Sequence, residues 1–117
     1  MTSSTPLAQH LEIFVIFVET TIFTKHLKAL IPDDEYRKFQ QFLVNQPEAG
    51  KIIKGSGGLR KVRWGSESQG KSGGVRVIYY YAQPDSHIRL LLIYPKSEQT
   101  ALTDKQLKIL KDIIERW

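Results

Sequence analysis

The sequence predicts a single α+β domain with the element order β-α-α-β-β-β-α. The first part of the chain holds one strand-like apolar run and two segments with helical periodicity. The second part holds three short alternating segments and a final amphipathic segment. Short connections between the alternating segments favour antiparallel pairing. We therefore expect a small antiparallel or mixed sheet, preceded by a helical hairpin and followed by a C-terminal helix.

The length of 117 residues suits one domain. Residues 1–12 are polar, rich in Ser and Thr, and contain Pro6, so we expect a flexible N-terminal extension there. The folded domain is then expected to span residues 13–117.

The first part of the chain carries clear start and stop signals. Residues 13–19 form a continuous apolar run whose length fits a central strand covered on both faces. Thr20 or Thr21 can cap a first helix. Pro32 and the three carboxylates after it suit the first turn of a second helix, where the acids complement the helix dipole. This helix is expected to end before Pro47, because proline disfavours helical backbone at the preceding residue.

The second part of the chain supplies most of the sheet. Residues 50–54 fit either a short strand or an extended connector. Residues 59–64, 75–82 and 88–94 are predicted to be strands. Residues 103–106, with the sequence TDKQ, form a capping box that opens the final helix. We expect the helices to cover one face of the sheet and to leave the face with the cationic side chains open.

Positive charge is concentrated in one part of the chain. The formal net charge is +5, and the sequence pI is about 9.5. Residues 51–76 contain seven Lys or Arg and one acidic residue, and so carry a net charge of +6. A field concentrated in this way suggests a polyanionic partner.

The composition disfavours other kinds of site. There is no cysteine, which excludes a disulfide framework and a thiolate metal site, and the three histidines show no metal-binding spacing. We therefore expect no metal and no cofactor. The apolar run at 13–18 is too short to cross a bilayer, and the N-terminus lacks the shape of a signal peptide, so the expected location is the cytoplasm.

Three cations form the strongest candidate site. Lys61 and Arg63 are two residues apart and so share one face of a strand. Arg76 begins the next strand and is a cross-strand neighbour of Arg63 if the register allows it. Clustered cations without acids repel one another, which disfavours a purely structural role. A solvated strand edge without function stays open as the alternative.

Further candidates surround these cations. Tyr80 shares a face with Arg76 and can stack on a base, although it also fits an ordinary strand aromatic. Lys71 can contact a nucleic-acid backbone, and we group Arg60 with it as a candidate RNA-binding residue. The segment after the last strand offers a phenol and an amine, Tyr94 and Lys96, as plausible catalytic groups or as plain loop residues.

The glycine-rich connections have ordinary explanations. Residues 65–72, GSESQGKS, match the phosphate-loop pattern G-x-x-x-x-G-K-[ST]. That loop needs a helix directly after it, whereas here two glycines and a strand-like run follow, so a flexible hairpin loop is favoured over a nucleotide site. Residues 55–58 favour a turn entering a strand, and residues 83–86 favour a turn between two strands.

Together these motifs resemble a known protein family. The chain is similar to the HigB branch of the RelE-type toxins of bacterial toxin–antitoxin pairs over roughly residues 13–117. The segments that carry this resemblance are GGLRKVRW, GGVRVIYYY, LLLIYPKSE and the terminal TDKQLKILKDII. The resemblance implies a microbial-ribonuclease-like sheet, the RelE fold, which enters the ribosomal A site and cuts mRNA there. It also implies a HigA-like helix-turn-helix antitoxin as partner.

The resemblance assigns roles to several of the candidates. The cationic strand pair of the family matches Lys61 and Arg63, and the arginine that opens its next strand matches Arg76. The basic residue after the last strand matches Lys96. RelE itself uses a tyrosine in its C-terminal tail, which has no counterpart in this chain, and Tyr94 is the nearest candidate for its role.

These residues fit RNA cleavage without a metal ion. The ribose 2′-OH attacks the adjacent phosphorus, and Arg63 and Arg76 stabilise the charge that develops on the phosphate. Lys61 lies among cations that favour its neutral form, so it is the more suitable base. Tyr94 or Lys96 then protonates or positions the 5′-oxygen. The competing hypothesis is a non-catalytic module that binds RNA or the ribosome through the same face.

Overall fold

The computed structural model describes residues 15–65, 74–82 and 86–117. These residues form three helices and five strands. The predicted α+β class is confirmed, and the predicted element order is confirmed with one strand added. The segment near residue 51, which the sequence left between strand and connector, forms a two-residue strand. In chain order the elements are β1 (Ile16–Glu19), α1 (Thr21–Leu30), α2 (Asp33–Asn45), β2 (Lys51–Ile52), β3 (Arg60–Trp64), β4 (Val75–Ala82), β5 (His87–Pro95) and α3 (Asp104–Arg116).

The five strands form one mixed sheet with the order β1-β5-β4-β3-β2. The predicted antiparallel meander of β3, β4 and β5 is confirmed, whereas β1 pairs with β5 in parallel. The prediction that the first strand is central and covered on both faces is wrong. Among the described strands, β1 lies at the edge of the sheet beside β5, and 51% of the Ile16 surface is exposed.

The helical hairpin covers one face of the sheet. Thr20 is the N-cap of α1, since its hydroxyl accepts the backbone N–H of Phe23 at 3.1 Å, as the sequence predicts. The same hydroxyl donates to the carbonyl of Leu91 at 2.8 Å and so ties the helix to β5. α2 ends at Asn45, before Pro47, as predicted. The core of this face comprises Phe23, Leu27, Ile31, Phe39, Leu43, Val62, Val75, Val77, Tyr79, Ile88, Leu90 and Ile93.

α3 covers part of the opposite face, so the prediction that all helices share one face is wrong. Leu110 of α3 packs there with Ile78 and Leu91, which are fully buried. This face of the sheet is apolar as well, and an apolar face must be covered. The predicted capping box is confirmed: the Thr103 hydroxyl accepts the backbone N–H of Gln106 at 3.1 Å.

The glycine-rich segment before β3 is a turn, as predicted. Gly55, Gly57 and Gly58 all have positive φ angles, a region that favours glycine. Ser56 is buried at the centre of the turn, where its hydroxyl accepts the backbone N–H of Leu59 at 3.0 Å. This turn places the start of β3 against the rest of the sheet.

Candidate functional site

The predicted cations Arg63 and Arg76 face each other across two strands. Arg63 of β3 is the cross-strand partner of Arg76 of β4, and Arg76 is in turn the partner of Tyr94 of β5. Partners in an antiparallel pair lie on the same face. The three side chains therefore form a row across the sheet, and we call its two cations, Arg63 and Arg76, the arginine row.

The hydrogen-bonding pattern shows how close the two arginines are. The backbone N–H of Lys96 donates to the carbonyl of Gly74 at 3.1 Å across β4 and β5. Because hydrogen-bonded and non-hydrogen-bonded positions alternate, Arg76 and Tyr94 form a hydrogen-bonded pair, and Arg63 and Arg76 a non-hydrogen-bonded one. Residues at non-hydrogen-bonded pairs approach most closely, with Cα atoms about 4.5 Å apart.

The arginine row is a site of uncompensated positive charge. Arg63 is exposed, and Arg76 is half-buried with its Nη1 atom inside the protein. Among the described residues, Nη1 of Arg76 has no hydrogen-bond partner, and neither arginine forms an ion pair with a carboxylate. Arginine pairs of this kind match the geometry of a phosphate group, which accepts two or more charge-assisted hydrogen bonds.

Tyr94 lies beneath the residues that follow β5. Only 4% of its surface is exposed, and it packs with Leu110 of α3. Its hydroxyl is buried and makes no hydrogen bond to the described residues. Burial raises the pKa of the Tyr94 phenol, and the positive charge of Arg76 partly offsets this rise. The phenol is therefore neutral at physiological pH and is covered in this conformation.

Two lysines lie at the margins of the arginine row. Lys61 is two residues before Arg63 on the same face of β3, and its Nζ atom is 3.4 Å from the carbonyl of Thr100. Lys96 directly follows β5 and is half-buried beside the start of β4. The structure thus brings together four of the predicted catalytic residues around the row, with Tyr94 covered next to them.

The predicted RNA contacts of Arg60 and Tyr80 are not brought into this site. Arg60 precedes Lys61 and so lies on the opposite face, where its Nη1 atom donates to the carbonyls of Gly50 at 2.8 Å and Glu48 at 3.1 Å. Tyr80 is on the face of the row but packs into the apolar cluster under α3. Arg60 therefore has a structural role, which its position in a basic segment concealed.

The phenol of Tyr79 forms a buried clamp next to Arg60. Its hydroxyl donates to the carbonyl of Pro47 and accepts the backbone N–H of Gly50, both at 2.8 Å. A Cβ atom on Gly50 would lie 2.8 Å from a ring carbon of Tyr79. This clamp fixes the connection between α2 and β2, and through it the edge of the sheet.

Several predictions fall on residues that the structure does not describe. They are the N-terminal extension at 1–12, Lys71, most of the phosphate-loop string at 65–72, and most of the turn at 83–86. The strand β4 begins at Val75, three residues after the end of the phosphate-loop string. A strand and not a helix thus follows the string, as the sequence predicts.

The described residues contain neither a cluster of metal-binding side chains nor a membrane-spanning helix. Within residues 15–65, 74–82 and 86–117, no group of three or more His, Cys, Asp or Glu side chains is placed to hold a metal ion. None of the helices in this part of the chain is long and apolar enough to cross a membrane.

Comparison with known proteins gives a structural relative. No family model matches the sequence. Among solved structures, the protein is similar to a chain of the archaeal RelE–RelB complex from Pyrococcus horikoshii OT3, with a TM-score of 0.47 and 22% sequence identity. The match covers 73% of this chain and 98% of that chain.

Proposed function

We propose that the protein is the toxin of a toxin–antitoxin pair and acts as a metal-independent endoribonuclease that cuts mRNA in the ribosomal A site. The observation that carries this proposal is the opposed pair of Arg63 and Arg76. Two guanidinium groups without a carboxylate are unfavourable in the free protein. They become favourable when a phosphate lies between them, and most favourable when that phosphate gains charge in a transition state.

The proposed reaction uses the groups around the arginine row in sequence. Lys61 accepts the proton of the ribose 2′-OH, whose oxygen attacks the adjacent phosphorus. Arg63 and Arg76 stabilise the negative charge on the phosphate oxygens. The bond from phosphorus to the 5′-oxygen then breaks, and Lys96 supplies a proton to that oxygen. The products are a 2′,3′-cyclic phosphate and a free 5′-hydroxyl.

Tyr94 has a supporting role in this mechanism. Its hydroxyl is covered, so it does not reach the leaving oxygen in this conformation. Its ring instead lies on the same face as Arg76, its partner on the neighbouring strand, and we assign it the role of limiting the positions of the guanidinium. We therefore assign proton donation to Lys96 and treat Tyr94 as a positioning residue.

A toxin of this kind requires a neutralising partner. The family resemblance supports a HigA-like helix-turn-helix antitoxin, which would act together with this protein in the cytoplasm, where ribosomes are. The net charge of +5 makes an acidic antitoxin surface a suitable match. The solved relative is itself part of a complex of RelE with RelB.

A non-catalytic module that binds RNA or the ribosome is the second candidate. The observation that favours it is the burial of Tyr94, which removes one acid–base group from the open surface. Purified protein added to translating ribosomes separates the two functions. An endoribonuclease shortens the mRNA and produces new 5′ ends within codons, whereas a binding module only stalls translation.

The chemistry of the cut ends tests the mechanism directly. Attack by the 2′-OH leaves a 2′,3′-cyclic phosphate, which terminal labelling after phosphatase and kinase treatment identifies. A 3′-hydroxyl at the cut end would contradict the proposed reaction, because it requires attack by water from the other side of the phosphate.

A further inference from the structure

A second pair of opposed cations lies next to the arginine row. Lys51 of β2 is the cross-strand partner of Lys61 of β3, so the two lysines share a face. The backbone N–H of Ile53 donates to the carbonyl of Leu59 at 2.8 Å, which makes Lys51 and Lys61 a hydrogen-bonded pair with Cα atoms about 5.5 Å apart. The face that holds Arg63 thus carries two cation pairs in succession along β3.

The spacing of the two pairs suits a nucleic-acid strand. Lys51 and Arg63 are one strand apart and two residues apart along the strands, roughly 8 Å between their backbone positions. This distance is comparable to the separation of neighbouring phosphates in an extended single strand of RNA. The position of Lys51 opposite Lys61 does not stabilise the sheet, because like charges in a cross-strand pair repel each other. Lys51 is also exposed and, among the described residues, forms no ion pair.

We propose that Lys51 binds the phosphate on the 5′ side of the nucleotide whose 2′-OH attacks. The inference rests on the proposed function, which places the scissile phosphate at Arg63 and Arg76 and the base at Lys61. In RNA the 2′-OH of a nucleotide lies between its 5′ phosphate and its 3′ phosphate. A base between two phosphate sites therefore faces the hydroxyl that links them, and the second site must hold the 5′ phosphate.

This arrangement fixes the direction of the RNA strand. The RNA runs 5′ to 3′ from the edge strand β2, across β3, towards Lys96 at the end of β5. Lys96 then lies on the side of the leaving 5′-oxygen, as the proposed mechanism requires. Lys51 contacts the RNA backbone and positions the strand, and it takes no part in bond breaking.

Short RNA analogues that cannot be cleaved test the proposal without a ribosome. The probes are three 2′-O-methyl dinucleotides: one with no terminal phosphate, one with a 5′ phosphate and one with a 3′ phosphate. Binding is measured by NMR titration at low salt, because screening weakens such contacts. For the wild-type protein we expect the 5′ phosphate to tighten binding about fivefold, as a charge-assisted contact should.

The variant Lys51→Gln should lose this gain and leave binding of the unphosphorylated dinucleotide unchanged. Any gain from the 3′ phosphate should be the same in the variant and the wild type. The matched control is Lys25→Gln on α1, an exposed lysine on an element that packs on the opposite face, which should behave as the wild type. If Lys51→Gln keeps the gain from the 5′ phosphate, or loses the gain from the 3′ phosphate instead, the proposal is overturned.

The outcome is independent of whether the protein cuts mRNA. If Lys51→Gln loses the affinity gained from the 5′ phosphate while the wild-type protein fails to cleave mRNA, the proposed nuclease activity is rejected and Lys51 is kept as an RNA contact. If the wild-type protein cleaves mRNA on the ribosome and Lys51→Gln keeps the affinity gained from the 5′ phosphate, the role of Lys51 is rejected and the nuclease activity is kept.

Discussion

Arg63 on β3 and Arg76 on β4 face each other at a non-hydrogen-bonded pair, the position where two cross-strand side chains lie closest together. Two positive charges in this position oppose folding and favour a bound anion. Stability and activity should therefore respond in opposite directions when the charge of Arg63 is removed.

The variant Arg76→Ala should cut mRNA at least about tenfold more slowly on translating ribosomes, because a preorganised donor to the transition state is lost. The measurement is the initial rate of appearance of cleaved mRNA at a fixed ribosome concentration. Arg37→Ala on α2, an exposed arginine on the hairpin side, serves as the control and should keep the wild-type rate. Equal rates for Arg76→Ala and the wild type would contradict the assignment.

The variant Arg63→Gln should fold more stably than the wild type by about 0.2–1 kcal/mol, because a like-charge cross-strand contact disappears. Urea unfolding at low salt measures the difference, and 1 M salt should reduce it, since salt screens exposed charges. The same variant should cleave more slowly. A loss of stability at low salt would show that Arg63 is compensated by a group on another part of the protein.

The variant Tyr94→Phe separates a positioning role from proton donation. The hydroxyl has no hydrogen-bond partner among the described residues, so its removal should leave stability unchanged. Cleavage should change by less than about threefold, whereas loss of a general acid costs about a hundredfold or more. Tyr94→Ala should lower both stability and cleavage, because the ring supports Arg76.

The pH dependence of cleavage gives a second test of Tyr94. Burial raises the pKa of this phenol above its ordinary value, so it does not ionise across the range in which ribosomes work. The pH–rate profiles of the wild type and Tyr94→Phe should therefore have the same shape. An alkaline limb of the pH–rate profile that is present in the wild type and absent in Tyr94→Phe would show that the phenol takes part in the reaction.

Tyr36 should make the protein sensitive to alkaline pH. Burial, followed by the hydrogen bond to Glu19 and the charge of that carboxylate, raises the pKa of Tyr36. A raised folded-state pKa stabilises the protein fully below the unfolded-state value of about 10, and this contribution is lost as pH rises above that value. Stability should therefore fall above about pH 10 more steeply in the wild type than in Tyr36→Phe.

Urea unfolding at pH 8 and at pH 10.5 measures this difference. At pH 8 the variant should be less stable by roughly 1 kcal/mol, because the hydrogen bond to the Glu19 carboxylate is lost. At the higher pH the two proteins should converge. A constant difference between them at both pH values would contradict the expected linkage.

The clamp of Tyr79 should matter for stability and not for RNA binding. Tyr79→Phe leaves the backbone N–H of Gly50 and the carbonyl of Pro47 without their partner and should cost about 1–3 kcal/mol in urea unfolding. Tyr81→Phe is the control, because the hydroxyl of Tyr81 makes no hydrogen bond to the described residues and its ring also packs against the core.

Arg60→Gln extends this test to the basic segment. Arg60 holds the carbonyls of Gly50 and Glu48, so its loss should destabilise the protein. Binding of single-stranded RNA by the fraction that stays folded should be unchanged. A reduced salt dependence of RNA binding in Arg60→Gln would restore this residue to the RNA-binding set.

The sequence predicts the local features of the fold well, because short-range chemistry determines them. The cap at Thr20, the capping box at Thr103 and the end of α2 before Pro47 all depend on hydrogen bonds or backbone restrictions within a few residues. The alternation of Lys61 and Arg63 likewise places them on one face without further information.

The errors concern relations between distant elements. A continuous apolar run such as residues 13–19 fits a central strand, yet among the described strands β1 pairs with β5 alone and lies at the edge. The role of Arg60 depends on which carbonyls approach it from the α2–β2 connection. Lys51 belongs to the basic segment of the sequence, but its position opposite Lys61 depends on the pairing of β2 with β3.

The parallel pairing of β1 with β5 also determines how the protein can fold. The hydroxyl of Thr20 bonds the carbonyl of Leu91, which is 71 positions later in the chain. Closing so large a loop carries an entropy cost and slows folding. The meander of β3 to β5 forms from local contacts and carries the arginine row. The helical hairpin, although synthesised first, therefore completes its core only when the last strand of the sheet is available.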